Sequence, residues 1–320
     1  IRPLVMGKRL NGKLFHEYIF ASESVAIDSM GYLVDSDVQP GEVVFIDMKR
    51  NVHRKQIVKK DWAPCIFEHV YLARPDSVLD KVSVHKTRLR MGIALAEQIK
   101  KAIAKECLKI DVVMPIPDSA RTATLTLAER LGLPYREGLI KNRYIGRTFI
   151  MPGQEIRKKS IRYKLNPIVL EIRKKNILLV DDSIVRGNTS RKIVEMVRNA
   201  GANKVYFAST CPPLRFPCVY GVDMPSKKEF IANQLSIGQI AKAIGADRLF
   251  YQELPDLVRS AKAGNKDITK FCVACMDGKY PTPEVTPKML AGVELARELY
   301  RRHDETEQSE QNIVEGQMSL

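Results

Sequence analysis

NILLVDDSIVRGNTS, Asn176 to Ser190, runs from an apolar stretch through two acids and a short loop into the opening of a helix. The apolar stretch is short and unbroken, which is the pattern of a strand buried on both faces. Such a strand places its loop at the carboxyl end of a parallel sheet, where open α/β folds bind ligands. A helix N-terminus at that position offers unpaired N–H groups and a partial positive charge to a phosphate. Gly187 lets the backbone come close, and the Thr189 and Ser190 hydroxyls add hydrogen bonds. Asp181 and Asp182 would repel a phosphate on their own. They make sense if they hold sugar hydroxyls or a Mg²⁺ ion, which takes oxygen ligands. The GxxxxGK[ST] spacing of a Walker loop is missing. Two acids before a helix can also be an ordinary N-terminal cap, and that reading stays open on the dipeptide alone.

Outward from this string the pattern alternates. Residues 87–105 have helical apolar spacing, DVVMPIP (111–117) reads as a buried strand, and residues 119–131 read as a helix. Residues 188–200 follow as a helix, NKVYFAST (203–210) as a strand, and residues 236–244 and 255–263 as short helices. Strands alternating with helices predict a parallel, doubly wound α/β sheet. Residues 1 to about 60 differ. KLFHEYIFAS (13–22) and GEVVFIDM (41–48) read as strands with a turn between, so this part is expected to be β-rich. The end, HDETEQSEQNIVEGQMSL (303–320), is polar, acidic and free of aromatics, and is expected to be disordered.

The chain has 320 residues and a net charge of +15, which raises anionic partners, nucleic acid among them. Between Lys141 and Lys175, however, eleven Lys or Arg stand against two Glu. Charge concentrated in one stretch suits a small polyanion, and a solvated basic face is the bland alternative. No run of about 18 apolar residues is present, so no membrane span is expected. Six cysteines, Cys65, Cys107, Cys211, Cys218, Cys272 and Cys275, occur without a secretion signal. Free thiols or a metal site are favoured over a disulfide framework.

The Ile177 to Ser190 string resembles the signature of the type I phosphoribosyltransferases. PCIFEHVYLARPDS (64–77), PIPDSA (115–120), GLIKNRYIGRTFIMPGQ (138–154) and RFPCVYGVDMPS (215–226) narrow this further. Together they resemble the glutamine phosphoribosylpyrophosphate amidotransferases, up to about Tyr280. The resemblance implies a type I phosphoribosyltransferase fold that joins phosphoribosyl pyrophosphate to glutamine-derived ammonia, the first step of purine synthesis. It implies Mg²⁺ held by Ser119, Asp181 and Asp182, and a 5-phosphate loop at Arg186, Gly187, Asn188, Thr189 and Ser190. Lys141, Arg143 and Arg147 would face the departing pyrophosphate from a flexible closing loop, with Asp181, Asp182, Arg147 and Lys141 as the catalytic set. Some family members carry a [4Fe–4S] cluster on four cysteines, at positions matching Cys65, Cys218, Cys272 and Cys275. Free thiols in a cluster-free member and a Zn²⁺ site are the alternatives. Cys107 and Cys211 are read as structural thiols.

The resemblance also implies an organisation. Residues 1–60 correspond to the last strands of a glutaminase domain, 61–263 to the transferase domain, and 264–320 to an extension with cluster cysteines and a disordered tail. The chain opens IRPLVMGKRL, with no cysteine before Cys65. It is therefore expected to be a truncated form without the glutaminase nucleophile, limited to the ammonia-dependent half reaction. A cytoplasmic homo-oligomer inhibited by purine nucleotides, with no nucleic-acid or membrane partner, completes the expectation. Two other readings share the signature: a regulator of purine genes that binds phosphoribosyl pyrophosphate without catalysis, and a salvage phosphoribosyltransferase acting on a base.

Overall fold

The structure is a computed structural model that describes residues 1–11, 15–59, 61–142, 165–297 and 299. The expected tail at 303–320 lies outside them. The chain starts with strand β1 (Val5–Asn11), which pairs antiparallel with β2 (Phe15–Ala21). A short helix, α1 (Ser24–Ser29), leads to β3 (Leu33–Asp37) on the other edge of β1. Gly7 sits under that helix, and any Cβ there would collide with the Ile27 side chain. Strands β4 (Glu42–Ile46) and β5 (Val52–Gln56) form a separate hairpin. The β-rich expectation for this part holds, with α1 as an unforeseen helix.

A single π-turn, Glu68–Leu72, and a two-residue hairpin of β6 (Val78–Leu79) and β7 (Val82–Ser83) lead into α2 (Val84–Glu106). The Ser83 hydroxyl caps α2 by accepting the Lys86 N–H. Then come β8 (Val112–Pro115), α3 (Arg121–Leu131), β9 (Leu139–Lys141), β10 (Leu165–Pro167), β11 (Asn176–Asp181) and α4 (Asn188–Asn199). The chain continues through β12 (Lys204–Ser209), α5 (Ile237–Ile244), β13 (Arg248–Tyr251), α6 (Leu254–Lys262) and α7 (Ala274–Asp277). Residues 287–297 are helical.

The central sheet is parallel throughout, in the order β13-β12-β11-β8, with Ile177 opposite both Val112 and Val205. Its strands are apolar without alternation because each face is covered. Ile177 and Leu179 of β11 pack with Ile193, Val197 and Ile244 of α4 and α5. Leu178 and Val180 point the other way, towards Leu95 and Ile99 of α2 and Leu127 of α3. Gly92 lets those two helices touch, since a Cβ there would strike the Ala123 carbonyl. Each such buried side chain contributes roughly 1.5–3 kcal/mol, so β11 is pinned from both sides. Its carboxyl end, with Asp181, is therefore a rigid platform.

Candidate active site

At that carboxyl end lies a cleft of about 810 Å³. Every expected substrate- or Mg²⁺-site residue among the described residues lines it: Ser119, Lys141, Asp181, Asp182 and Arg186 to Ser190. Arg143 and Arg147 lie outside the described residues. They fall in 143–164, between β9 and β10, which pair antiparallel as Leu139 opposite Pro167.

The acids are not a helix cap. The residue at the N-cap of α4 is Gly187, at φ 77°, which has no side chain to cap that end. A Cβ on Gly187 would come 2.6 Å from Ile231 Cδ1, so both the left-handed backbone and the packing require glycine. Among the described residues, the first-turn N–H groups of α4 are thus left without a side-chain cap at the cleft, as an anion site needs.

Asp181 and Asp182 are both buried, at 9% and 7% exposure. The Ser119 hydroxyl donates to Asp182 Oδ2, and the Ser183 hydroxyl donates to Asp182 Oδ1 at 2.6 Å. The Asp182 N–H donates to Asp181 Oδ1 at 2.9 Å. Burial raises the pKa of Asp181 well above the carboxylate range, and the Asp182 charge adds to it. Burial also raises Asp182, opposed by the hydrogen bonds from Ser119 and Ser183 and by the charge of Arg88. Two carboxylates and a hydroxyl make an oxygen-only donor set, which fits Mg²⁺ better than a softer metal.

The cations are held in place by acids that the sequence reading did not single out. Lys141 Nζ donates to Asp118 Oδ2, and Arg121 lies 3.2 Å from the same carboxylate. The Arg186 guanidinium donates to Glu229 Oε1 at 2.9 Å. Glu229 in turn accepts from the Ser226 N–H and hydroxyl at 2.9 Å each. The cleft is also lined by larger apolar and aromatic side chains: Phe67, just before the π-turn, Tyr71 and Leu72 within it, and Val222 and Met224. Those residues belong to the 64–77 and 215–226 strings, so the signal was in view as similarity but not as a site.

Phe67, Val222 and Met224 also border a second, tight cavity of about 10 Å³. Cys65, Cys218, Cys272 and Cys275 all line it. Cys65 and Cys272 are bridged, with the Cys272 N–H donating to the Pro64 carbonyl at 2.8 Å and the Ile66 N–H to the Cys272 carbonyl at 3.2 Å. Burial pushes the Cys65 thiol up to about 12, with Glu68 and Cys272 adding to the shift. Burial also raises Cys275 well above the ordinary thiol range, reinforced by Cys65, Cys272 and Cys218. All four are free thiols. Among the described residues, no group of three or more His, Cys, Asp or Glu is arranged to hold a metal ion. The four cysteines, from three separate segments of the chain, thus border one small cavity, and four thiols are a donor set suited to iron–sulfur ligation. Cys211 is fully buried, as a structural thiol should be, but Cys107 is exposed at the left-handed end of α2 and packs no core.

The family description "Phosphoribosyl transferase domain" matches residues 84–233. An amidophosphoribosyltransferase of Pseudomonas aeruginosa is 53% identical over 300 residues, covering 93% of this chain and 59% of that protein. One of Escherichia coli is 50% identical, covering 89% of this chain and 56% of that protein. The solved glutamine phosphoribosylpyrophosphate amidotransferase of Bacillus subtilis, complexed with ADP and GMP, matches with a TM-score of 0.76 at 37% identity. That match covers 89% of this chain and 60% of the solved one. The chain thus spans somewhat under two thirds of the length of these relatives.

Proposed function

The chain belongs to the amidophosphoribosyltransferase family, and we propose on that premise that its cleft binds phosphoribosyl pyrophosphate and transfers the phosphoribosyl group to ammonia. The products are 5-phosphoribosylamine and pyrophosphate, the opening step of purine nucleotide synthesis. One observation carries the reading: a buried acid pair and an uncapped helix N-terminus face the same cleft at the end of one strand.

The 5-phosphate sits against Gly187 to Ser190, where N–H groups and the Thr189 and Ser190 hydroxyls replace its water. Asp181 and Asp182 take the ribose hydroxyl edge and, with Ser119, are the residues that would hold Mg²⁺. Bound there, Mg²⁺ supplies positive charge to the diphosphate. The C1–oxygen bond breaks and its electron pair leaves with pyrophosphate, whose negative charge Lys141 meets, with Arg143 and Arg147 in the same role. The ammonia lone pair forms the new C1–N bond, and the ammonium then loses a proton to solvent. The apolar wall of Phe67, Tyr71, Val222 and Met224 limits the water that would compete with ammonia.

Residues 1–60 are read as the last part of a glutaminase domain, 61–263 as the transferase domain and 264–320 as an extension. In the whole protein the ammonia would come from glutamine. The gathering of four thiols supports a [4Fe–4S] group on Cys65, Cys218, Cys272 and Cys275, which would tie the 61–77 segment, the sheet and the extension together. The ADP and GMP of the Bacillus subtilis relative support purine nucleotides as inhibitors, acting on a cytoplasmic homo-oligomer. Among the described residues no helix is long and apolar enough to cross a membrane.

The test is ammonia-dependent release of pyrophosphate from phosphoribosyl pyrophosphate by the purified chain. Release that needs ammonia, and no base, supports the reading. No release would leave a regulator that only binds, and release that needs a purine base would make it a salvage enzyme.

A further inference from the structure

One buried charged group near the cleft enters the account so far only through its charge on Asp182. Arg88, on the inner face of α2, is only 3% exposed. Its Nε donates to the His69 carbonyl at 3.0 Å, and its Nη2 donates to the carbonyls of Tyr71 at 3.3 Å and Ala73 at 2.8 Å. These are the carbonyls of the π-turn and of the residue that ends it, so one side chain satisfies acceptors that the short turn leaves unpaired.

We propose that Arg88 is a positioning residue of the transferase site, holding the turn whose Tyr71 and Leu72 line the cleft. The proposal rests on the reading of the cleft as the phosphoribosyl pyrophosphate site. Three features separate Arg88 from an ordinary buried anchor. First, an Arg buried without a carboxylate in contact is costly, and a residue of similar volume without charge would pack more cheaply. Among the described residues no ion pair to Arg88 is found; its charge is felt by Asp182 and Glu23 at longer range. Second, the planar guanidinium reaches three carbonyls that diverge around the turn, which the point charge of a lysine cannot do. Third, one of the three carbonyls is that of Tyr71, which lines the same cleft as Asp181 and Asp182, and Leu72, held between the Tyr71 and Ala73 carbonyls, lines it too.

The same segment is held from its far end by Glu23 of the β-rich part. Glu23 Oε2 accepts from the Arg74 N–H at 2.8 Å and from the Ser77 hydroxyl at 2.7 Å. Beyond Ala73 the strap is therefore anchored without Arg88, and loss of Arg88 loosens the cleft wall more than the joint between the two parts.

The experiment uses the purified chain with Mg²⁺ and phosphoribosyl pyrophosphate, comparing Arg88→Lys, Arg88→Ala and Ile99→Val. Ile99 is fully buried on the same helix, against the sheet, and its truncation lowers stability without touching the turn. Binding by titration, the kcat and KM split of the ammonia-dependent reaction, and thermal midpoints are measured together. The expected result is a dissociation constant and KM raised about tenfold or more in both Arg88 variants (about 1.4 kcal/mol). Ile99→Val should keep the original affinity, and millimolar methylguanidinium should restore tighter binding to Arg88→Ala. Affinity within about twofold of the original in Arg88→Lys, or an equal loss in Ile99→Val, overturns the proposal. If Arg88→Ala does not fold, Arg88→Lys and its KM decide alone. Failure of the unmodified chain to bind at all is a different result: it overturns the reading of the cleft itself.

Discussion

Lys141 Nζ lies 2.8 Å from Asp118 Oδ2, and both residues line the cleft that holds the acid pair. Without an anionic ligand, Asp118 is the counter-charge that keeps Lys141 at the cleft. Both side chains are about half exposed, at 52% and 53%, so the pair itself is worth about 0–1 kcal/mol. The two substitutions should therefore differ sharply. Lys141→Met is expected to lower kcat/KM on the order of 10²-fold, the usual cost of one donor to a developing anion. Asp118→Asn should change it by only a few-fold, since pyrophosphate replaces the carboxylate as the partner. Equal losses in steady-state kinetics would mean that Asp118 does more than hold the lysine.

The buried acids set a pH dependence whose sign follows from their raised pKa values. A carboxyl group whose folded pKa lies above the unfolded value favours the folded state while protonated. That contribution is lost as pH rises from the unfolded value, about 4, through the folded one. Asp181 and Asp182 are both raised, first by burial. In chelator, the thermal midpoint should therefore fall from acid towards neutral pH by more than in Asp181→Asn. Mg²⁺ with phosphoribosyl pyrophosphate should raise the midpoint most on the alkaline side, where both acids are ionised. Asp181→Asn and Asp182→Asn should each abolish most turnover while leaving the folded chain at least as stable at pH 8. A midpoint that rises with pH in chelator would contradict the assignment.

What the sequence made legible follows from where side chains are buried. β11 could be read because Ile177 and Leu179 feed one layer and Leu178 and Val180 the other, leaving an unbroken apolar run. β13, RLFY, has the same two-sided burial but only four residues, too few for a periodic signal. The π-turn was illegible because Glu68 and His69 are buried there by neighbours distant in sequence, so its polarity misleads. Arg88 looks like any polar helix position until the carbonyls of 69, 71 and 73 are seen beneath it. Asp118 and Glu229 become site residues only through partners 23 and 43 positions away. The four thiols are a similar case. Spacing alone could not say that Cys65 and Cys218 join the Cys272 and Cys275 pair, and the fold brings them to one cavity.

If those thiols hold a [4Fe–4S] group, the chain purified without oxygen should be brown and carry roughly four irons. Cys65→Ser, Cys218→Ser, Cys272→Ser and Cys275→Ser should each remove the colour, whereas Cys107→Ser and Cys211→Ser should not. Loss of the group should also weaken phosphoribosyl pyrophosphate binding, since Phe67, Val222 and Met224 border both cavities. A colourless anaerobic preparation with one zinc per chain would show that the cavity takes a single ion. Visible spectra and metal analysis of the same samples decide between the two.

The joint between the β-rich part and the transferase part contains a further pair of raised acids, neither of which lines the cleft. Burial lifts Asp80 to about 6, with the charge of Asp37 on β3 adding to it. Asp37 is itself raised by burial, although the Asp80 N–H donates to its carboxylate. The sign is the same as for the cleft acids. The protonated pair is tolerated below the unfolded value, about 4, and its contribution is lost as pH rises through about 6. A carboxyl raised to about 6 costs at most about 3 kcal/mol at neutral pH. Asp80→Asn should therefore raise the thermal midpoint at pH 7, change it little at pH 4, and flatten the slope between. Because Asp80 does not border the cleft, its affinity for phosphoribosyl pyrophosphate should stay unchanged. Differential scanning calorimetry from pH 4 to 7, paired with titration at pH 7, checks both halves. A destabilised Asp80→Asn at pH 7 would mean that the ionised carboxylate has a partner strong enough to outweigh its burial.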